Sequence, residues 1–501
     1  MDRPVRLSSL DSALLYHESS GPSHMHVASV LTFRGRAPAY SALVGHVERR
    51  LHLVPRYRQR LAFVPLGQGR PVWVDDTHFN PYYHTRQVAL PAPAGESELK
   101  ALAGEIFSQR LARHRPLWEL WLVEHLAGGR FALIAKAHHA LVDGLGGVDL
   151  TTVLLDRSPA SAAPENGRPP RWDARPEPRP VKLLTDALLE RASTPRELAR
   201  SANALLRRPR RLLRAARESL AESGALAFAG VASPAPPSPF NVDIGPHRRY
   251  TYLDVQLALV QGVKDRLGGT INDAVLAAIA HALGRYLRAH GHETEGLELR
   301  AMVPVSVRVG AGDARAVGEL GAMWVPLPVG LEDIRAVHAL IARATRAESS
   351  RTHAVRARAL TGLPGFAPPT ILSQAARLQV RQQYYNLVVT NVPGPQLPLY
   401  LLGRRLEAVY PVLPLAGRQA LGISLMSYNG RLHFGLLGDY DALPDLEQIA
   451  KLLDDAISEL ARAAAAQRSA RRPRRGDPAT GRSGASARAR RPAARDRAGA
   501  T

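Results

Sequence analysis

The chain has 501 residues, 45% of them hydrophobic and 6% aromatic, enough for two or more domains with substantial cores. It contains no cysteine, which excludes disulfides, thiolate metal sites and a cysteine nucleophile. The formal net charge is +22, part of it in a tail from Arg468 to Thr501 where eleven arginines stand against Asp477 and Asp496. Such a balance favours anionic partners: nucleic acid, anionic lipid surfaces or polyphosphate ligands such as coenzyme A. No nucleic-acid-binding fingerprint accompanies it, so no nucleic-acid partner is expected. Met1-Asp2-Arg3-Pro4-Val5-Arg6 does not open an apolar signal-peptide core, and no run of 18 or more uninterrupted apolar residues predicts a membrane span.

In chain order, Ser8-Ser9-Leu10-Asp11 opens a short helix and His26 to Phe33 reads as a strand. Ser41 to Leu51 reads as a helix, and Glu96 to Arg113 as an amphipathic helix with Leu99, Leu102, Ile106 and Leu111 near helical spacing, ending before Pro116. Trp118 to Val123 is predicted as a strand that turns at Ala127-Gly128-Gly129 into the β-compatible run Arg130 to Ile134, an antiparallel hairpin. Pro116-Leu117-Trp118-Glu119 reads first as strand core that braces its neighbour.

The second hairpin strand runs into Ala135-Lys136-Ala137-His138-His139-Ala140-Leu141-Val142-Asp143-Gly144. Alternation across a strand puts Phe131, Leu133, Ala135, Ala137 and His139 on one face and Lys136 and His138 on the other, so the two histidines cannot do one job. Asp143-Gly144 suits the turn that must follow. A histidine at a strand end with a carboxylate one turn away suits a general base near neutral pH. An edge-strand surface feature and half of a divalent-metal site are the other readings of the same letters. No second His/Asp cluster with ligand spacing accompanies the pair, so no metal is expected.

From about Arg157 to Pro246 proline, arginine and alanine dominate. Leu183 to Arg217 reads as one or two basic amphipathic helices, either packed as a crossover or lying on a lipid surface. Tyr250 to Leu257 reads as a strand. Thr270-Ile271-Asn272-Asp273 has the spacing of a capping box, opening a helix apolar nearly all round and so buried; Asn272 and Asp273 read first as its structural cap. Leu299 to Arg308, Met323 to Pro328 and Asn386 to Thr390 are predicted strands, the last ended by a turn at Asn391-Val392-Pro393-Gly394-Pro395. Gln419 to Tyr428 and Arg431 to Tyr440 form a hairpin about Asn429-Gly430. Pro444 to Ala465 is a final helix, and the tail beyond it has the composition of a disordered segment.

His138-His139-Ala140-Leu141-Val142-Asp143-Gly144 resembles the HHxxxDG motif of the CoA-dependent acyltransferase superfamily, shared with peptide-synthetase condensation domains. Pro116-Leu117-Trp118-Glu119, Asn272-Asp273 and Thr390-Asn391-Val392-Pro393-Gly394-Pro395 follow in an order that resembles the bacterial wax ester synthase/diacylglycerol acyltransferase family, from about Leu7 to about Ala461. One departure is plain: where relatives typically carry Gly-Asn, this chain has Val317-Gly318-Glu319-Leu320-Gly321, with no asparagine.

The resemblance implies an α/β (α+β) fold of two chloramphenicol-acetyltransferase-like domains with mixed sheets, joined by a long helical crossover, with a tunnel at their interface. The expected division is 1–156, a linker and crossover over 157–240, 241–465, and the tail 466–501. It implies acyl transfer from acyl-CoA to diacylglycerol or a long-chain alcohol with no cofactor. His139 would be the general base, His138 a supporting residue, Asp143 and Gly144 the loop that shapes the motif, and Asn272 and Asp273 a support near the site. A direct route without covalent intermediate agrees with the absence of cysteine and of a Gly-x-Ser-x-Gly elbow. The expected location is cytoplasmic, with peripheral contact to anionic membrane or lipid droplets. A condensation-type enzyme on other thioesters, and a non-catalytic lipid-surface protein of the same fold, are the alternatives.

Overall fold

The computed structural model describes residues 5–18, 21–143, 150–160, 172–190, 234–307, 319–352 and 384–470. Its strands in chain order are β1 (His26–Arg34), β2 (Gln59–Ala62), β3 (Val72–Asp75), β4 (Thr85–Ala89), β5 (Trp118–Leu126), β6 (Arg130–His138) and β7 (Arg248–Gln256). They continue as β8 (Leu299–Val307), β9 (Glu319–Leu327), β10 (Leu387–Pro393), β11 (Tyr400–Leu401), β12 (Arg404–Val412), β13 (Leu421–Tyr428) and β14 (Arg431–Asp439). The helices of the first half are α1 (Ser9–Glu18), α2 (Tyr40–Arg50), α3 (Pro81–His84), α4 (Glu96–Ser108), α5 (His139–Asp143) and α6 (Leu150–Leu154).

Two six-stranded mixed sheets result, β11-β12-β1-β6-β5-β4 and β7-β14-β13-β10-β8-β9, the mixed α/β architecture expected. The two predicted hairpins form: β5 and β6 are antiparallel, and β13 and β14 turn at Asn429-Gly430. Alternation on β6 is real and has a larger consequence than two faces of a sheet. Phe131 and Leu133 enter a core with Leu15 of α1, Leu43 of α2 and Trp118. Ala132 and Ile134 enter a second core that continues beneath the helix Ile271–Ala289 and the second sheet. The first sheet is thus the wall between two cores, and the His-His pair ends one of its central strands.

The sheets do not divide at one chain position. β11 and β12 come from the C-terminal part but pair with the N-terminal sheet, β12 lying antiparallel beside β1. β12 also packs on the second sheet, where Ser424 Oγ donates to Pro411 O at 2.6 Å. Gly435 faces the same carbonyl, and a Cβ there would stand 1.9 Å from it, so only glycine permits the approach.

Three expectations are corrected. The amphipathic helix stops at Ser108, five residues short of Arg113, because Gln109 is extended and Lys136 Nζ donates to Ile106 O (2.8 Å) and Gln109 O (3.0 Å), capping the last turn. Leu111 then turns away into the core of α1 and α2. The strand at Leu387 does not end in a turn at Asn391: β10 runs through Pro393, parallel to β13. The strand ends at His138 and does not carry His139 on its Phe131 face: His139 opens α5, and the expected turn at Asp143-Gly144 reaches outside the described residues. Of the basic stretch Leu183 to Arg217, residues up to 190 are described and are helical; residues 191–217, the tail beyond 470, Val317 and Gly318 lie outside the described residues.

Candidate active site

The site is assembled by α1 across the end of β6. Ser8 Oγ accepts from Asp11 N at 3.0 Å and donates to Asp11 Oδ2 at 2.6 Å, so a Ser-x-x-Asp pair starts the helix and holds the aspartate. Asp11 and Glu18 are seven residues apart and share one helix face. His139 Nδ1 donates to Asp11 Oδ1 at 3.4 Å, and His138 Nε2 donates to Glu18 Oε1 at 3.1 Å. The first distance is long for an N–H···O bond, as catalytic pairs often are before substrate binds.

The two rings meet their carboxylates through different nitrogens. Ala140 N donates to His138 Nδ1 at 3.1 Å, so that nitrogen carries no proton and Nε2 carries it toward Glu18. In His139 the carboxylate lies at Nδ1, which must be the donor. Burial disfavours ionising Asp11, but the hydrogen bonds from His139 and Ser8 outweigh it and hold the carboxyl below its ordinary range. Burial likewise opposes ionisation of Glu18, and the bond from His138 together with Met25 N–H and Arg113 holds it low. The side chain of His138 is 3% exposed and that of His139 33%, so only the second is open to a substrate.

The backbone around the pair is tied on three sides. His138 N donates to Leu117 O at 2.9 Å and His139 N to Met25 O at 2.8 Å. Met25 N in turn donates to Glu18 Oε1. Arg113 Nη2 reaches Glu18 Oε2 at 3.1 Å. The Pro116-Leu117-Trp118-Glu119 stretch is the brace the sequence suggested: Leu117 holds His138, Trp118 Nε1 donates to Tyr57 O at 2.8 Å, and Glu119 Oε2 lies 3.5 Å from buried Lys136 Nζ.

A row of imidazoles continues from His138. His26 stands opposite it in the β1–β6 register, with ring centroids 6.1 Å apart, and His24 stacks on His26 at 5.3 Å. His24 Nε2 and His26 Nδ1 are buried with no hydrogen-bond partner among the described residues. Burial, reinforced by Arg248 and Arg110, lowers the His24 pKa to about 4. Beyond this row, a groove of about 1370 Å³ lies between α4 and β7, with Ser108, Gln109 and Arg248 among its lining residues and Lys100 and Arg249 also contributing.

Asp273 is held at a helix start. Its Oδ2 accepts from Thr270 N (2.8 Å) and its Oδ1 from Thr345 Oγ1 (2.6 Å), joining the start of the helix Ile271–Ala289 to the helix Ile334–Thr352. This is the structural cap the spacing predicted, and both oxygens are committed to it. Asn272 Oδ1 is buried and unpartnered among the described residues. The side chain of Asp143 and all of Gly144 lie outside the described residues. The structure adds Asp11 and Glu18, which sequence reasoning passed over; Ser8-x-x-Asp11 with Glu18 two turns later was the available signal.

Among the described residues no three histidine or acidic side chains gather as a metal site.

The family model for the wax ester synthase/diacylglycerol acyltransferase catalytic domain matches residues 7–275, and that for the C-terminal domain of the same family matches residues 318–461. A Mycobacterium tuberculosis protein named as a diacylglycerol O-acyltransferase is 35% identical over 469 residues, 91% of this chain and 90% of its own. A second one, tgs1, is 32% identical over 460 residues, 91% of this chain and 95% of its own. The structure superposes on the wax ester synthase/diacylglycerol acyltransferase from Marinobacter aquaeolei VT8 with a TM-score of 0.63 at 27% identity, over 92% of this chain and 100% of that one. The starter condensation domain of rhizomide synthetase, 14% identical with a TM-score of 0.54 over 92% of this chain and 95% of its own, shares the fold. The chain belongs to the wax ester synthase/diacylglycerol acyltransferase family and is an acyltransferase.

Proposed function

We propose that the protein transfers a fatty acyl group from acyl-CoA to a hydroxyl, on diacylglycerol or on a long-chain alcohol, with His139 as general base and no acyl-enzyme intermediate. The observation that carries the reading is the half-open His139 ring with a carboxylate at Nδ1. The opposite nitrogen, Nε2, takes the proton of the acceptor hydroxyl as its oxygen attacks the thioester carbonyl. The tetrahedral intermediate collapses with cleavage of the C–S bond, and the imidazolium returns the proton to the departing thiolate. Asp11 accepts the Nδ1 hydrogen throughout and stabilises the transient cation. The absence of cysteine supports a direct transfer. The groove between α4 and β7 has the volume for a long acyl chain.

Peripheral attachment to an anionic lipid surface belongs to the same reading. Among the described residues no helix is long and apolar enough to cross a membrane. Helical residues 180–190 bury Leu183 and Ala187 but present Val181, Leu188 and Leu189 to solvent. Apolar side chains on a basic protein suit an interface.

The test is purified protein with palmitoyl-CoA, offered hexadecanol and diacylglycerol separately and scored for ester and for free CoA. Ester with either acceptor is expected. CoA release without ester, or no CoA release at all, counts against transfer and favours a hydrolase or a non-catalytic lipid-surface protein.

A further inference from the structure

We propose that Asp11 is the positioning residue of His139, selecting its Nδ1–H tautomer, and that α1 sets the two adjacent histidines in opposite tautomers so that one alone can act as base. The proposal rests on the general-base reading above and adds to it the residue that makes the base competent.

Three observations carry it. The carboxylates of Asp11 and Glu18 leave one helix face two turns apart and meet two rings that are adjacent in sequence. The nitrogens they meet differ, Nδ1 in His139 and Nε2 in His138, and the Ala140 amide independently assigns the His138 tautomer. Asp11 is itself oriented: Ser8 donates its hydroxyl to Oδ2, which leaves Oδ1 to face the ring. A carboxylate can only accept, so the ring nitrogen facing it must carry the hydrogen, and Nε2 is left with its lone pair. Glu18, bonded to Arg113 and to His138, does not replace the contact at Nδ1.

The arrangement predicts an asymmetry between variants. In Asp11→Asn the amide oxygen keeps the Ser8 hydroxyl and the amide NH2 turns to Nδ1, which forces the hydrogen onto Nε2 and disables the base. Asp11→Glu retains an acceptor.

The experiment uses the full chain and three readouts. In the unaltered protein, 15N NMR of the imidazoles above their titration should show His139 as the Nδ1–H tautomer and His138 as Nε2–H, the resonances assigned with His139→Ala and His138→Ala. In steady-state assays with palmitoyl-CoA and hexadecanol, Asp11→Asn should lose about 10²–10⁴-fold in kcat at little change in KM, as removal of an orienting carboxylate does in other dyads. The acid limb of its residual kcat/KM should move about one unit lower in pH, since a neutral amide no longer favours a protonated ring. Asp11→Glu should recover part of kcat. An Nε2–H tautomer for His139 in the unaltered protein overturns the proposal, whether or not any variant folds. So does an Asp11→Asn enzyme with unaltered kcat and pH profile while His139→Ala is inactive. If His139→Ala itself keeps full activity, the general-base reading fails instead, whatever the tautomers are.

Discussion

Asp11 and Glu18 stand two turns apart on α1, and each holds one ring of the His138–His139 pair. The pairing gives adjacent, chemically identical side chains different environments: one ring is buried among Glu18, the Ala140 amide and His26, the other remains a third exposed. Several consequences can be measured.

His139→Ala should reduce ester formation by roughly 10²–10⁴-fold and lower the melt modestly, since the ring itself is a third exposed but its loss strands the buried Asp11 carboxylate. His138→Ala should act mainly on stability. It removes a buried ring and strands Glu18 and the Ala140 amide, at about 2–4 kcal/mol. Paired kinetics and melts check both; equal losses of kcat at normal stability in the two variants would contradict the division of roles.

Lys136→Met should destabilise the protein by about 2–4 kcal/mol, because Glu119 loses a buried cation and the Ile106 and Gln109 carbonyls lose their donor. The last turn of α4 should fray, which hydrogen exchange on residues 104–109 would report.

Gly435→Ala places a methyl 1.9 Å from Pro411 O, so β12 must shift off the second sheet. A loss of more than about 3 kcal/mol is expected in urea unfolding, well above the cost of alanine at an ordinary strand glycine.

Stability should fall on mild acidification. His24 and His433 have pKa values lowered by burial to about 4 from an ordinary 6.5. The unfolded chain therefore takes up protons that the folded chain refuses, and stability declines as pH falls from about 6.5 to about 4. Asp11 and Glu18 are shifted down, so their contribution persists through that window and is lost only at lower pH. His433→Phe, which replaces a ring whose two nitrogens are buried and unpartnered among the described residues, should flatten the decline in urea midpoints between pH 7 and pH 4.5.

Replacing Leu188 and Leu189 with Ser should leave the melt unchanged, since both point outward, at 48% and 64% exposure. It should reduce the salt-resistant part of binding to anionic vesicles in flotation assays. A reduction only at low salt would assign the binding to charge alone.

The sequence by itself determined the local elements of this protein. Period-2 alternation placed β6 and sent His138 and Lys136 to one side; Thr270 and Asp273 announced a capped, buried helix; Asn429-Gly430 announced a hairpin. Each of these depends on interactions among residues a few positions apart, which is why they were legible. The partners of the two histidines were not. Asp11 reaches His139 across 128 positions of chain, and only the docking of α1 against the end of β6 brings them together. The same holds for β12, which lies in the C-terminal half of the chain but whose edge pairs with β1. It holds for Lys136, whose place at the end of α4 shortens a helix that periodicity alone would extend. Local pattern decides what a segment becomes, because backbone hydrogen bonding and side-chain spacing are short-range. Which nitrogen of a histidine carries the proton depends on the group that faces it, and that was decided only when distant segments packed.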